Sequence, residues 1–303
     1  MRPWDGAREL APYQDEPPQL PSGSFGKNAW LRLAFERRGE RTVLTEAFRR
    51  APLIVQRALY WDEEMPGLPC VFIITNSGGI LQGDRYEIEM ELAAGAQAHV
   101  TTQAATKIHE MDANFAAQSQ HISLADGAYL EYLPDPVIPH RHARFHTHTT
   151  VSIAPSATLL YSEIIMGGRK YYGDGELYQY DLFSSTVSAA REERELFVEK
   201  FLIEPARNEL RQPGSMGAFD VFGNVLLLTP KAHADAIFAE TPAEWRPEEG
   251  WAAGASRLPN DAGLIYKVLG AEAHLVKARV REFWSRVRPI VAGAAVPAEF
   301  PWR

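Results

Sequence analysis

The sequence predicts a mainly β protein, built of stacked β-helix-like layers, with a smaller α+β part and a few helices at its C-terminal end. Short strand-like runs separated by turns dominate residues 29–188, and a small-residue phrase recurs among them at intervals of about thirty residues. After Pro205 the pattern changes to strand, helix, strand, helix. We therefore expect a β-rich stacked domain over residues 28–205 and an α+β part over residues 206–303 that packs on it.

The first 27 residues differ from the rest of the chain. They contain five prolines and several acidic residues but no apolar run of signal-peptide length. The acidic residues also argue against a transit peptide. The sequence therefore predicts a disordered, proline-rich leader over residues 1–27.

The β-rich part begins with a run in which Leu31, Leu33 and Phe35 alternate with other residues, as in a half-buried strand. Glycine, proline or charged turns separate the strand-like runs that follow. These runs include residues 42–44, 53–55 and 71–75.

The recurring phrase reads LAAGAQ at 92–97, LADGAY at 124–129 and IAPSAT at 153–158. A fixed period indicates stacked units, in which each turn reverses the chain and neighbouring hairpins cover one another's apolar faces. The alternative is that turns of small residues resemble one another by chance. The prediction of a layered β-stack depends on the first interpretation.

The C-terminal part predicts strands at 223–229 and 263–269 and a first helix at 232–240. In residues 271–288 apolar side chains recur at steps of three and four, which predicts a helix with one apolar stripe that ends before Pro289. Core packing is the simplest explanation of the stripe, but periodicity alone does not distinguish an inward face from one that meets a partner.

The charge and cysteine content exclude several classes of protein. Lys and Arg number 31 against 39 Asp and Glu, a formal charge of −8 that does not favour binding to nucleic acid. The single cysteine, Cys70, excludes an intramolecular disulfide and a cysteine-pair zinc site, which fits a reducing compartment and predicts a cytoplasmic location. Apolar runs such as residues 225–228 are far shorter than the roughly 20 residues that cross a bilayer, so no membrane association is expected.

Four of the nine histidines lie within residues 140–148. If this segment is a single strand, alternation places them on one face, where neighbours about 6.7 Å apart could chelate an ion with help from another ligand. The corresponding functional hypothesis is a metal-dependent hydrolase that activates water with His140, His142 and a distant carboxylate. The alternative is a row of solvated side chains without a metal role. The histidines are His140, His142, His146 and His148.

Familiar catalytic signatures are missing from the sequence. It has no P-loop, dinucleotide fingerprint, zinc-protease helix motif or lipase-type serine elbow. The stretch GGILQGD at 78–84 is glycine-rich, but no Lys-Ser or Lys-Thr pair follows it. A tight turn or a close backbone approach explains its glycines better than phosphate binding.

That stretch, together with TTQAATK at 101–107, resembles the urease accessory protein family UreD, also called UreH. The resemblance extends in order from about residue 28 to residue 303, and the order and spacing of the segments carry it. The further similar segments are LIVQR at 53–57, LEYLP at 130–134, Glu163, the Gly168-Arg169 pair, LFVE at 196–199 and WSRVRP at 284–289.

The resemblance implies a urease maturation factor that is not an enzyme. Such a protein is a metallochaperone scaffold that binds apo-urease together with a UreF-type helical accessory protein and a UreG-type GTPase, and it assists nickel insertion into the urease active site. The resemblance implies transient Ni²⁺ and no permanently bound cofactor. It also implies a β-rich stack with a few helices, which agrees with the fold predicted above.

By the same resemblance, Asp84, Glu163 and Glu199 are the acidic residues of a nickel path. Oxygen ligands hold first-row divalent cations less firmly than thiolates or several imidazoles, which suits a protein that must release its cargo. The alternatives are structural: Asp84 caps its own turn, the two glutamates form surface salt bridges, and Lys107 is a solvated charge. The remaining positions that match the family's motifs are Gly78, Gly79, Gly83, Thr101, Thr102, Gln103, Thr106, Lys107, Gly168 and Arg169.

The sequence also departs from the family's pattern. Asn76-Ser77 stands where relatives usually have a proline, and Gly168-Arg169 leads to GDGE at 173–176 rather than to a plain Gly-Glu, so the matching acidic residue stays open. Relatives are not rich in histidine at 140–148, which leaves auxiliary nickel capture there as the minority hypothesis. A third possibility is a β interaction domain without a metal role.

Overall fold

The computed structural model describes residues 2–15, 26–192 and 194–298. A short 3-10 helix at Arg8–Tyr13 precedes the first strand. The strands up to residue 203 are β1 (Asn28–Arg38), β2 (Arg41–Arg50), β3 (Leu53–Val55), β4 (Cys70–Thr75), β5 (Arg85–Leu92), β6 (Gln97–Thr102), β7 (Thr106–Ile108), β8 (Ala116–Leu124), β9 (Tyr129–Tyr132), β10 (Val137–Pro139), β11 (Arg144–Ile153), β12 (Thr158–Met166), β13 (Gly168–Arg169), β14 (Glu176–Leu177), β15 (Leu182–Arg191) and β16 (Arg194–Ile203). The remaining elements are β17 (Val221–Leu228), α1 (Lys231–Ala239), β18 (Glu244–Arg246), β19 (Trp251–Arg257), β20 (Gly263–Gly270) and α2 (Ala273–Ala292), with 3-10 turns at Pro247–Glu249 and Pro259–Asp261.

Two large sheets enclose the core. Within the described residues the first sheet has the order β16-β15-β11-β8-β5-β1-β2, and the second has the order β18-β19-β20-β17-β12-β9-β6-β4-β3. Strand β10 also pairs with β12, and β7 pairs with β10. Inward side chains such as Leu31, Leu33 and Phe35 are at most 1% exposed, as their alternation predicts. The predicted mainly β fold is therefore confirmed.

Each copy of the recurring phrase is a turn that leads from the first sheet to the second. The strands before the turns, β5, β8 and β11, are parallel neighbours in the first sheet. The strands after them, β6, β9 and β12, are parallel neighbours in the second. The layered stack is confirmed, but the expected hairpins are wrong, because the strands on either side of a turn pair with the adjacent copies and not with each other.

Backbone hydrogen bonding explains why the phrases look alike. Gly95, at φ +66°, donates its N–H to the carbonyl oxygen of Asp126 in the next turn at 2.8 Å. Gly127, at φ +65°, donates to Ser156 Oγ in the third turn at 3.0 Å. Because the turns lie directly on one another, each has a small residue at the same place, and in the first two turns that residue is a glycine with a left-handed backbone.

The C-terminal strands continue the second sheet, since β17 pairs with β12 and β20 pairs with β17. Helix α2 covers the outer face of that sheet, and its apolar stripe is buried there, with Phe283 stacked on Tyr266 at 4.5 Å. The stripe therefore packs inward. Of the helices that the structure describes, none has the length and apolar character needed to cross a membrane.

The predicted end of the last helix before Pro289 is wrong, because α2 continues to Ala292. A proline removes one N–H donor, and near the end of a helix this costs a single backbone hydrogen bond. Gly293, at φ +68°, then ends the helix and donates its N–H to the carbonyl oxygen of Pro289 at 3.1 Å.

The expectation of a disordered leader is corrected for residues 2–15. Leu10 is 1% exposed and packs against Phe115, Ala117 and Leu182 on the outer face of the first sheet. Glu9 accepts hydrogen bonds from Lys200 Nζ at 2.6 Å and Ser184 Oγ at 2.7 Å. One buried leucine and one buried carboxylate hold this segment in place despite its prolines, whereas residues 16–25 lie outside the described ranges.

Candidate functional site

A narrow cavity of about 70 Å³ lies between the two sheets, and we call it the inter-sheet cavity. Inward positions of strands are normally apolar, yet much of this lining is polar, which separates the cavity from an ordinary core defect. Its polar and charged lining residues are Thr75, Tyr86, Thr102, Thr106, Gln118, Gln120, Tyr132, Asp135, Thr147, Tyr161 and Glu163.

Glu163 supplies a carboxylate to this cavity from β12 and is 8% exposed. Its Oε1 accepts a hydrogen bond from Ser185 Oγ at 2.8 Å, while its Oε2 has no hydrogen-bond partner within the described residues. Burial raises the pKa of Glu163 to about 7, against the opposing effect of the Ser185 hydrogen bond. The side chain is therefore poised between its neutral and ionised forms near neutral pH.

Glu199 lies on the opposite sheet, in β16, next to the buried Val187 of β15. Paired residues of antiparallel strands share a face, so Glu199 points inward at the rim of the first sheet. Its side chain remains 25% exposed, and Lys267 Nζ lies 2.6 Å from its Oε1. The negative charge of Glu199 contributes to the raised pKa of Glu163, so the fold brings these two acidic residues into electrostatic contact.

A buried hydrogen-bond network forms the middle of the cavity wall. Gln120 Nε2 donates to Thr149 Oγ1 at 2.8 Å and to Tyr161 Oη at 3.1 Å. Tyr132 Oη donates to Gln120 Oε1 at 2.7 Å. The network fixes the orientation of the amide and of two phenol groups, so this part of the cavity wall is held in one arrangement.

Asp84 lies beside the cavity but does not line it. It is fully buried, and its Oδ1 accepts from the backbone N–H of Lys27 at 2.9 Å. Its Oδ2 accepts from the backbone N–H of Leu81 at 2.9 Å and from Tyr86 Oη at 3.1 Å. These bonds match the turn-capping alternative, and Tyr86 connects the turn to the cavity wall.

The threonine motif divides between the cavity and the surface. Thr102 and Thr106 line the cavity. Thr101 Oγ1 donates to the carbonyl oxygen of Leu133 at 2.7 Å and joins β6 to the residue that follows β9. Gln103 and Lys107 are exposed.

The glycines of residues 78–84 serve a tight turn, as the sequence suggested. Gly78 and Gly83 have φ near +75°, and Gly79 has φ +157°. A Cβ atom on Gly79 would lie 2.6 Å from His109 Nε2 and 2.7 Å from the carbonyl oxygen of Lys107. Only glycine allows the backbone this close approach.

Gly168 and Arg169 form β13, which pairs with β14 in a separate hairpin. Arg169 makes two hydrogen bonds to Glu176, at 2.6 and 2.7 Å. Glu176 is therefore the acidic residue of the GDGE stretch that contacts the motif arginine. This pair closes the hairpin and does not line the inter-sheet cavity.

The expected continuous strand through the histidines is wrong in its first half. Residues 140–143 form a turn between β10 and β11, and His142 there has φ +55° and lies 3.1 Å from Asp181. His140 packs edge-on against His109, with ring centroids 4.8 Å apart. His146 and His148 do lie on one face of β11, but that face is the outer one, where His146 Nε2 is 4.0 Å from Glu9.

Burial affects the chemistry of these imidazoles. It lowers the pKa of His140 and of His146 to about 4, so both are neutral at pH 7. Nevertheless, across the ranges that the structure describes, no three His, Cys, Asp or Glu side chains are grouped to hold a metal ion. His140 and His142, the pair that the hydrolase hypothesis uses, lie in the turn between β10 and β11 and not on one face of a strand.

Several residues of the candidate site escaped the sequence reasoning. Gln118, Gln120, Tyr161, Ser185 and Asn224 are polar groups at buried or half-buried strand positions. The available signal was the alternation that places Gln118 and Gln120 on the same strand face as the apolar Ala116, Ile122 and Leu124. Asn224 faces Glu163 across the β12–β17 pair, a relationship that sequence spacing does not reveal.

The fold and this cavity define a class of protein: a two-sheet β stack with buried carboxylate and amide groups between its sheets. The sequence profile of the family described as UreD urease accessory protein matches residues 27–303. The chain belongs to that family, as its motifs suggested, and the family implies a role in urease maturation.

Individual relatives agree. The chain is 62% identical over 297 residues to urease accessory protein UreD 2 of Brucella suis biovar 1, covering 98% of each protein. It is 62% identical over 299 residues to the protein of that name in Brucella abortus strain 2308, again covering 98% of each. It is 52% identical over 298 residues to urease accessory protein UreD of Yersinia pseudotuberculosis strain IP 31758, covering 98% of this chain and 93% of the relative.

Proposed function

We propose that this protein is a cytoplasmic scaffold that assists the insertion of nickel into apo-urease, in a complex with a UreF-type helical protein and a UreG-type GTPase, and that it is not itself an enzyme. The observation that supports this most directly is the buried carboxylate of Glu163 in a polar cavity between the sheets, with Glu199 in electrostatic contact from the opposite sheet. Ni²⁺ would be the cargo of this cavity.

The chemistry of the lining suits a cation in transit. Carboxylate, amide, hydroxyl and phenol oxygens bind first-row divalent cations less firmly than thiolates or sets of imidazoles. The cavity lining contains such oxygen groups and no His or Cys side chain. A cation that enters is stripped of part of its water shell and is held by weak ligands from which it can leave.

The raised pKa of Glu163 adds a condition for loading. A carboxyl group must lose its proton before it binds a cation, so nickel competes with that proton. Because the pKa of Glu163 is about 7, the exchange of its proton for a cation is nearly balanced at neutral pH. Glu163 would thus take and release a divalent cation at a small cost in free energy.

The test is urease activity in cells that carry a complete urease gene set with this chain intact, deleted, or changed to Glu163→Gln and Glu199→Gln together. Glutamine keeps the size of each side chain and removes the charge. We expect lost activity on deletion, and a double variant that still co-purifies with the UreF-type protein but fails to activate urease. Asp84→Asn is made as a separate variant and is not combined with the other two, because the Asp84 carboxylate holds a backbone turn and its loss affects the fold as well as the charge. Normal urease activity without this chain would refute the proposal.

Metal analysis separates this proposal from the hydrolase. Protein purified without a metal-affinity tag should contain no stoichiometric zinc or iron if it is a nickel scaffold. A tightly held zinc or iron ion would instead favour the enzyme.

A further inference from the structure

A second cavity, of about 520 Å³, lies beneath α2, and we call it the α2 cavity. It lies on the outer side of the second sheet, whereas the inter-sheet cavity lies on the inner side. The two cavities nevertheless share three lining residues, Pro134, Asp135 and Ile164. The two cavities therefore approach each other at this point, where β9 ends and the chain continues towards β10.

Asp135 is the one acidic residue, within the described ranges, that lines both cavities. Its side chain is 12% exposed. Its backbone N–H donates to Thr102 Oγ1 at 2.9 Å, which fixes the loop against β6. The carboxylate is thereby held where the two cavities meet, which we call the junction. Ile164, the chain neighbour of Glu163, lines both cavities at the same place.

Lys277 of α2 closes the junction from the other side. Its Nζ lies 3.0 Å from Asp135 Oδ1, and its side chain is 41% exposed. The other nearby cation, Arg281, points away, since it donates to the carbonyl oxygens of Pro297 and Ala298. The ammonium group of Lys277 thus occupies the position that a cation would take on Asp135.

We propose that Asp135 is a further binding station for the divalent cation, at the junction of the two cavities, and that Lys277 occupies this carboxylate until a cation displaces it. The proposal rests on the proposed function and extends it to a residue that the family resemblance did not include. The cargo would pass from Glu163 to Asp135, and from there into the α2 cavity.

The ion pair between Asp135 and Lys277 also has a purely structural explanation. The two explanations predict different directions of change in nickel binding when each partner is removed. If the pair only fastens α2 to the sheet, removing either partner weakens the same contact, and any change in nickel binding has the same direction. If Asp135 is a station that Lys277 blocks, removing the carboxylate weakens nickel binding and removing the ammonium group strengthens it.

The experiment measures Ni²⁺ binding by equilibrium dialysis, using the full chain in its complex with the UreF-type protein, purified without a metal-binding tag. We expect Asp135→Asn to raise the Kd for Ni²⁺ by at least about tenfold, because removing even a residue that only supports a metal ligand typically costs that much affinity. We expect Lys277→Met to lower it by about fivefold, because an opposing charge is removed. Lys277→Arg should raise the Kd, since a guanidinium holds a carboxylate more firmly than an ammonium group.

The controls are Lys231→Met and Asp235→Asn, which break an exposed ion pair in α1 with a separation of 3.4 Å. Both should leave the Kd unchanged. Shifts of the same sign for Asp135→Asn and Lys277→Met, or no shift in either, would overturn the proposal. If either variant fails to form the complex, Lys277→Arg decides the question, and an unchanged Kd overturns the proposal.

Urease activation in cells separates this proposal from the broader one. If the unmodified chain does not support activation, the proposed function has failed. If it does, and Asp135→Asn supports activation equally well at limiting nickel, only the station at Asp135 has failed.

Discussion

Arg288 and Glu131 form a buried ion pair although 157 residues separate them in the chain, with Nε donating to Oε1 at 2.8 Å. Trp284 Nε1 donates to the same oxygen at 2.7 Å, and Tyr129 Oη donates to it at 2.6 Å. Arg288 also lies 2.7 Å from Asp62. The two family segments at 130–134 and 284–289 therefore meet in one contact that holds α2 against the second sheet.

Removing the arginine should be strongly destabilising. Arg288→Met leaves the carboxylates of Glu131 and Asp62 buried without their guanidinium, and we expect the free energy of unfolding to fall by about 3–5 kcal/mol. Urea denaturation measures this change. Arg38→Met is the matched control, because Arg38 is 66% exposed and its pair with Glu36 should contribute less than about 1 kcal/mol. Equal losses in the two variants would contradict the prediction.

The stability of the protein should depend on pH through Glu163. Its pKa of about 7 in the folded state exceeds the ordinary value of about 4.3 in an unfolded chain. The contribution of Glu163 to the free energy of unfolding is therefore fully present below about pH 4. It is lost as the pH rises through 7, and the total loss is on the order of 3 kcal/mol. Glu163→Gln should remove this dependence.

Measuring the free energy of unfolding of both proteins from about pH 5 to about pH 8 checks that expectation. As the pH rises, the free energy of unfolding of the Glu163→Gln variant should increase relative to that of the unmodified protein. Glu46→Gln, at a side chain that is 48% exposed, is the control and should follow the unmodified protein. Parallel curves for all three would show that Glu163 titrates normally.

Two glycines of the β13–β14 hairpin should differ in their tolerance of alanine. Gly168 has φ +132°, and a Cβ atom there would overlap the carbonyl oxygen of Glu176. Gly173, at φ +57°, has nothing near the corresponding position. We expect Gly173→Ala to cost about 1–2 kcal/mol for its backbone conformation alone, and Gly168→Ala to cost clearly more. Thermal denaturation of the two variants would test this order, and equal melting temperatures would refute it.

The N-terminal segment should detach locally when its anchor is shortened. Leu10→Ala removes a buried side chain from the contact with Phe115 and Leu182, for an expected loss of about 2–3 kcal/mol in the attachment of residues 2–15. This detachment should be measurable as faster limited proteolysis at sites before residue 16. Leu202→Ala, at a leucine that is 40% exposed, should leave the cleavage rate unchanged. A Leu10 variant cut no faster than this control would mean that the segment is held by other contacts.

Local pattern predicted much of the fold. Alternation identified β1, and the recurring phrase identified the stack, because both depend on neighbouring residues and a repeated turn. Local pattern gave a wrong prediction at the end of α2, where one proline costs too little free energy to end a helix. It was also wrong at the histidines, where a turn at His142 interrupts the expected strand.

The candidate site was predictable only in part. The family motifs pointed to Glu163 and Glu199, but nothing in their spacing shows that they lie on opposite sheets and influence each other electrostatically. Asp135 and Lys277 meet across 142 residues, and such contacts arise from the packing of α2 rather than from local sequence. Long-range contacts of this kind carry no periodic signal.

The stacked turns have a consequence for how this interior can change. Hydrogen bonds between backbones run along the stack from one layer to the next, and none of them needs to cross the gap between the sheets. The gap is therefore lined by side chains alone, and its polarity can be altered one residue at a time without breaking a ladder. Substitutions at Gln118, Gln120 or Thr147 would change the polarity of the inter-sheet cavity, and with it the cation that the proposed function requires the cavity to accept, within the same backbone.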